Sequence, residues 1–176
     1  EVFALSVLAE LAYLKWSGIG SNKIAVAVNG PTSMRIDYIA DAFGAEVFRA
    51  EVGEANVVNL AINLRQKGYT VRILGEGSNG GNITHPAAVR DPLNTVGAIL
   101  KLLSIKSENE NPGLFEIWCQ QSHQKVKYKE NYTLSDIINT LPAFTTTSAF
   151  EHNALMKIKS ESQAVLKANY ETNFVS

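Results

Sequence analysis

From residue 1 to about residue 107, apolar runs suited to buried strands alternate with amphipathic stretches, and this alternation restricts the fold more than any other feature. Lys23-Ile-Ala-Val-Ala-Val28 is nearly continuous in apolar residues, as a strand covered on both faces requires. Glu46-Val-Phe-Arg49 and residues 69–74, Tyr69-Thr-Val-Arg-Ile-Leu74, read as a second and a third strand. Between the first two, Thr32 or Ser33 is placed to cap a helix with Ile36, Ile39, Ala40 and Phe43 on one face and Gly44 at its stop. Residues 54–67 predict another helix through Val57, Val58, Ala61, Ile62 and Leu64, closed by Lys67-Gly68. Asp91 and Pro92 suit the N-cap and first turn of a third, running through Ala98, Leu100 and Leu103. Residues 2–16 have almost no polar face and read as a buried helix ended by Ser17-Gly-Ile-Gly20. The pattern predicts an α/β chain: a three-layer α/β/α domain with a mostly parallel sheet.

Beyond residue 107 the texture changes. Ser107-Glu-Asn-Glu-Asn-Pro-Gly113 is a turn cluster, and short helical stretches follow around Leu114–Gln121 and Thr133–Leu141. Ser160-Glu-Ser-Gln163 is a capping-box pattern for a last helix through Val165, Leu166 and Tyr170. The expected organisation is a domain over 1–106, a linker region with short helices over 107–150, and the first helix of a further, truncated domain over 151–176. The first domain is expected to close its own core. A start at Glu1 rather than Met, and a final helix with no sheet to cover, suggest a piece of a longer protein.

Sixteen basic and seventeen acidic residues leave a net charge of −1, which gives no footprint for nucleic acid or an anionic membrane. No apolar run approaches the ~20 residues of a membrane span. The single cysteine, Cys119, excludes an internal disulfide and fits a reducing compartment, so a cytoplasmic location is expected. His85, His123 and His152 are far apart with no second ligand at metal spacing, so they are expected as surface or capping residues; no metal site is expected.

The third strand runs into Gly-Glu-Gly-Ser-Asn-Gly-Gly-Asn, residues 75–82, which carries four glycines and no large apolar side chain. A dinucleotide fingerprint would follow the first strand and open a helix at once, and a P-loop would carry a lysine and hydroxyl pair; neither is present. A plain turn stays open. So does a polar ligand site in which Glu76 and Ser78 meet adjacent sugar hydroxyls, since a carboxylate accepts from two donors at once. The loop is expected to be exposed, so that loss of Glu76 would cost recognition and little stability.

Four stretches resemble the phosphohexomutases, the family of phosphoglucomutase and phosphomannomutase, in the third of their four domains. Gly75 to Asn82 resembles the family's sugar-binding loop. Arg49-Ala-Glu-Val-Gly-Glu54 and Arg90-Asp-Pro-Leu-Asn-Thr-Val-Gly-Ala-Ile-Leu100 resemble two further family segments, and Gly30-Pro-Thr-Ser33 resembles a family turn. The resemblance implies that Glu76 and Ser78 bind sugar hydroxyls, with Gly53, Glu54, Gly75, Gly77 and Asn79 lining the cleft. Asn79-Gly80 stand where Gly-His is common, and Ala50 replaces a threonine.

The resemblance further implies a mutase that interconverts hexose 1-phosphate and hexose 6-phosphate. It would work through a phosphoserine and a hexose 1,6-bisphosphate intermediate, with Mg2+ on a three-aspartate loop. Phosphoserine and metal loop are both missing from this chain, so no catalytic residue is expected here. Domains I, II and IV would supply them, and the hexose phosphate would be the substrate. The alternative is a non-catalytic sugar-phosphate-binding α/β module.

Overall fold

Strand β1 (Ala25–Asn29) is buried at every residue, and its alternation divides the core into two. Val26 and Val28 point to one face of the sheet, Ala25 and Ala27 to the other. The structure, a computed structural model, describes residues 1–20, 23–77 and 82–145, with residues 165 and 168. Strands β2 (Glu46–Ala50) and β3 (Ile73–Gly75) pair in parallel with β1 on either side, and β4 (Ile83–Thr84) runs antiparallel to β3. The order is β2-β1-β3-β4.

Helix α3 (Glu54–Gln66) covers the alanine face of β1, laying Val57, Ala61 and Leu64 over Ala25, Ala27 and Leu74. Small side chains on that face let the helix approach closely. The valine face packs on α1 (Val2–Ser17), α2 (Arg35–Ala42), α4 (Pro92–Ser104) and α5 (Leu114–Gln121). Helices on both faces of a mostly parallel sheet make the α/β/α arrangement that the alternation predicts.

Helix α1 is buried from Ala4 to Ala12, including Glu10, which is 1% exposed. A lone buried carboxylate would be costly. Here Arg72 donates from Nε at 2.8 Å to one oxygen of Glu10, and the Lys101 ammonium pairs with the other.

Several expectations need correction. The third strand is short: only Thr70 bridges to Ile24 before Val71 and Arg72 leave the ladder, and pairing resumes at Ile73. The two-residue β4 is too brief to leave a period in the sequence. Ile62 and Leu100, expected on buried faces, are exposed. Of the two capping candidates before α2, Thr32 is engaged by Asn29, while Ser33 Oγ accepts from the N–H of Arg35, the first residue of the helix, at 3.3 Å; Met34, at the N-cap itself, supplies no side-chain cap.

The boundary expected near residue 106 is not where the compact unit ends; that unit runs from Glu1 to Thr146. Leu114, Phe115, Ile117, Trp118 and Cys119 of α5 belong to the same core as α1. Trp118 donates from Nε1 to Thr140 Oγ1 at 2.8 Å, and the buried hydroxyl of Tyr132 donates to Leu102 O at 2.7 Å. Burial, then the neighbouring Tyr128, pushes the Tyr132 phenol up to about 12. The Cys119 thiol, fully buried, is pushed to about 11, chiefly by desolvation. A short helix, α6 (Leu134–Ile138), begins with a capping box between Thr133 and Asp136. The second unit, Thr147–Ser176, includes only residues 165 and 168, both helical, among those described; the rest of the helix expected over 151–176 lies outside them.

Two outcomes follow from this core. Each large apolar side chain of α5 contributes about 1.5–3 kcal/mol on burial, and together they rival the ~5–15 kcal/mol that holds a whole domain. A chain cut after Lys106 should therefore show no cooperative thermal transition by circular dichroism, whereas one cut after Thr145 should melt cooperatively. The second concerns Asp136, whose carboxyl is held down to about 2, first by the Lys129 hydrogen bond and then by Thr133. Its folded value lies below its ordinary 3.8, so its contribution is present above about 4 and is lost as pH falls toward 2. Asp136→Asn should flatten that limb of the acid-unfolding curve.

Candidate functional site

In an open parallel sheet, ligands gather beyond the carboxyl ends of the strands, where the chain turns from one face to the other. In this sheet β1 leads to β2 through α2 on one face, and β2 leads to β3 through α3 on the opposite face. The switch therefore lies between β1 and β3. Asn29 ends β1 and Glu76 follows β3, and Asn29 Nδ2 donates to Glu76 Oε1 at 3.1 Å. The backbone N–H of Gly53, at the start of α3, donates to the same oxygen at 2.8 Å. Gly53 holds φ at 128°, a conformation that a residue with a Cβ rarely adopts, and this supports the approach.

The other oxygen of Glu76 accepts from Arg90 Nη2 at 2.8 Å, and Arg90 Nε reaches Glu54 Oε2 at 2.6 Å. One guanidinium thus serves two carboxylates, and the cluster is net negative. A planar fork of donors can do this; an ammonium cannot hold the same geometry. On the far side of Asn29, Thr32 Oγ1 donates to Asn29 Oδ1 at 2.5 Å and accepts from the Gly77 N–H at 3.2 Å. Arg49 fixes the Gly30–Thr32 turn from β2, donating to Thr32 O at 2.9 Å and pairing with Asp37. A mostly apolar hollow adjoins the cluster, lined by Phe3, Pro31, Thr32 and Gly77.

The structure brings Glu76, Gly53, Glu54, Gly75 and Gly77 to one place. Gly75 is the tightest: a Cβ there would come within 2.8 Å of the Phe3 ring. Ser78 and Asn79 lie outside the described residues. The expectation of an exposed Glu76 is corrected: it is 4% exposed and tied by three donors. A buried carboxylate is kept only with such partners. Asn29 and Thr32 were not singled out for this cluster. The one sign of Asn29 is a polar residue directly after an apolar strand, where a strand's carboxyl end would fall.

His85 and His123 are exposed, as expected, and His152 lies outside the described residues. Partial burial, then Arg65 and Arg72, holds the His85 imidazole below its ordinary value. Among the described residues no group of three or more His, Cys, Asp or Glu could hold a metal ion. No described helix is long and apolar enough to cross a membrane.

Residues 4–119 match the family model described as phosphoglucomutase/phosphomannomutase, alpha/beta/alpha domain III. No curated protein matches the sequence.

Arg90 pairs with the buried Glu76 carboxylate at 2.8 Å, so replacing it should unsettle the fold locally. Arg90→Met should destabilise the chain by about 1–3 kcal/mol, less than for a fully buried pair because Arg90 is partly exposed. Chemical denaturation of wild type and variant at neutral pH measures the effect.

Proposed function

The chain belongs to the phosphoglucomutase/phosphomannomutase family through the domain III of those enzymes, and from that premise we propose that it is the sugar-recognition part of a hexose-phosphate mutase. The reaction proposed is interconversion of hexose 1-phosphate and hexose 6-phosphate. The phosphoryl group would pass between a serine of the protein and the sugar, with hexose 1,6-bisphosphate between. Glu76 and Ser78 are proposed to hold the sugar by its hydroxyls.

The observation that carries this reading is the charge of the cluster at the strand ends. Two carboxylates share one guanidinium there. A net negative site repels phosphate and accepts the donors that sugar hydroxyls present. The neutral middle of the substrate belongs at this cluster, and its phosphates belong elsewhere. Glu76 spans the ends of β1 and β3 and the start of α3, so its orientation is fixed before a ligand arrives. Such preorganisation avoids the cost of ordering the side chain on binding.

Domains I, II and IV are proposed as partners that supply the serine, the metal loop and a grip on the non-reacting phosphate. Magnesium would neutralise charge developing on the transferred phosphoryl group. The described residues offer no set of ligands that fits it, so no step is assigned to it here.

Purified 1–176 should produce no glucose 6-phosphate from glucose 1-phosphate above a blank. The same titration should move the amide resonances of Gly53, Glu76 and Gly77. Turnover by the chain alone would overturn the division of labour, and unmoved amides at millimolar sugar phosphate would overturn the sugar site.

A further inference from the structure

Helix α4 buries Ala98 and Leu102 in the core it shares with α1, as an amphipathic helix should. Its opposite side is not polar. Leu93, Val96 and Leu100, spaced three and four apart, form a stripe there and are 77%, 53% and 55% exposed. Between Pro92 and Ser104 the only charged residue is Lys101, whose ammonium turns inward to Glu10 and the Tyr13 ring. Single exposed apolar residues are ordinary, but an aligned row of them without charge marks a surface that another molecule covers.

Gly97 is an independent sign. A glycine inside a helix costs stability relative to alanine. The domain's own packing does not require it: a Cβ at position 97 would meet nothing within 4 Å among the described residues. The notch serves something that approaches α4 from outside, because small side chains let two helices come closer.

We propose that the occupant is a second copy of this chain, and that two α4 helices pack antiparallel about a two-fold axis beside Val96 and Gly97. An axis there sets Leu93 of one copy opposite Leu100 of the other, and Val96 opposite the notch at Gly97, twice over by symmetry. The stripe is thus complementary to its own antiparallel copy. A parallel pair would set Val96 against Val96 and notch against notch. Charge agrees: no like charges meet along the stripe, and antiparallel helix dipoles attract. A net charge of −1 leaves two copies little to repel them. The patch is small, so the dimer is weak, with Kd on the order of 10 μM. The stripe lies outside the cluster at the strand ends, and the proposal does not depend on the sugar reading.

Sedimentation equilibrium of residues 1–176, at concentrations on either side of that Kd, should show reversible dimers. Leu100→Glu, at an exposed position, should abolish them and leave Tm at high dilution unchanged. Gly97→Ala should raise Tm of the dilute monomer, because alanine is the better helix former, yet weaken the dimer about ten-fold by filling the notch. For the register, thiols are placed on the stripe and joined by a short bis-maleimide; Cys119 is buried and stays silent. A mixture of Leu93→Cys and Leu100→Cys chains should couple faster than either variant alone. Dimers that survive both Leu100→Glu and Gly97→Ala, or coupling no faster in the mixture, would overturn the proposal. So would a chain that stays monomeric throughout, which would leave the stripe to a different partner.

Discussion

Helix α1 has almost no surface to give to water, and most of the domain is arranged to satisfy that. Its sixteen residues are apolar nearly all round, so the sheet, α2, α4 and α5 must enclose it together. A helix of this kind is stable only inside a finished core. This explains why α5, separated from the alternating pattern by a polar turn cluster, is nonetheless indispensable to it. Glu10 raises the demand further: the chain entering β3 and helix α4 must meet α1 at the height where Arg72 and Lys101 reach its carboxylate.

At the strand ends the same logic works with polar groups. The junction of β1 and β3 leaves backbone and side chains that water reaches poorly, and Glu76 resolves several of them at once. Its carboxylate joins Asn29 to Gly53 and, through Arg90, joins the chain before α4 to the start of α3. The candidate site and the closure of the fold are thus built from one set of hydrogen bonds. Where a site shares its parts with the fold, mutants that lose binding also lose stability, and the two effects must be separated by ligand rather than by melting point.

The alternation of apolar runs and helical periods made the layers legible before any coordinates. The Asp91-Pro92 start of α4 was equally plain, and the structure bears it out, with Asp91 accepting from the Leu93 N–H at 2.9 Å. What could not be read has physical causes. Strand β4 is two residues long, and no period is visible over two residues. The membership of α5 was hidden because its apolar residues are few in number but large, and number is what a pattern counts. Glu76 was legible as a candidate site residue and not as a buried one, since its partners lie 14 to 47 positions away. Arg90 was visible only as part of a motif, without the fork that makes it useful.

Cys119 offers a last consequence. It is the chain's single thiol, it has no exposed surface, and its ionisation is displaced to about 11. Thiol reagents attack the thiolate, so in the native state this group is both unreachable and in the wrong form. Reaction begins only when α5 leaves the core. The residue is therefore a built-in clock: the labelling rate at neutral pH counts the openings of α5, without a probe having to be engineered into the protein.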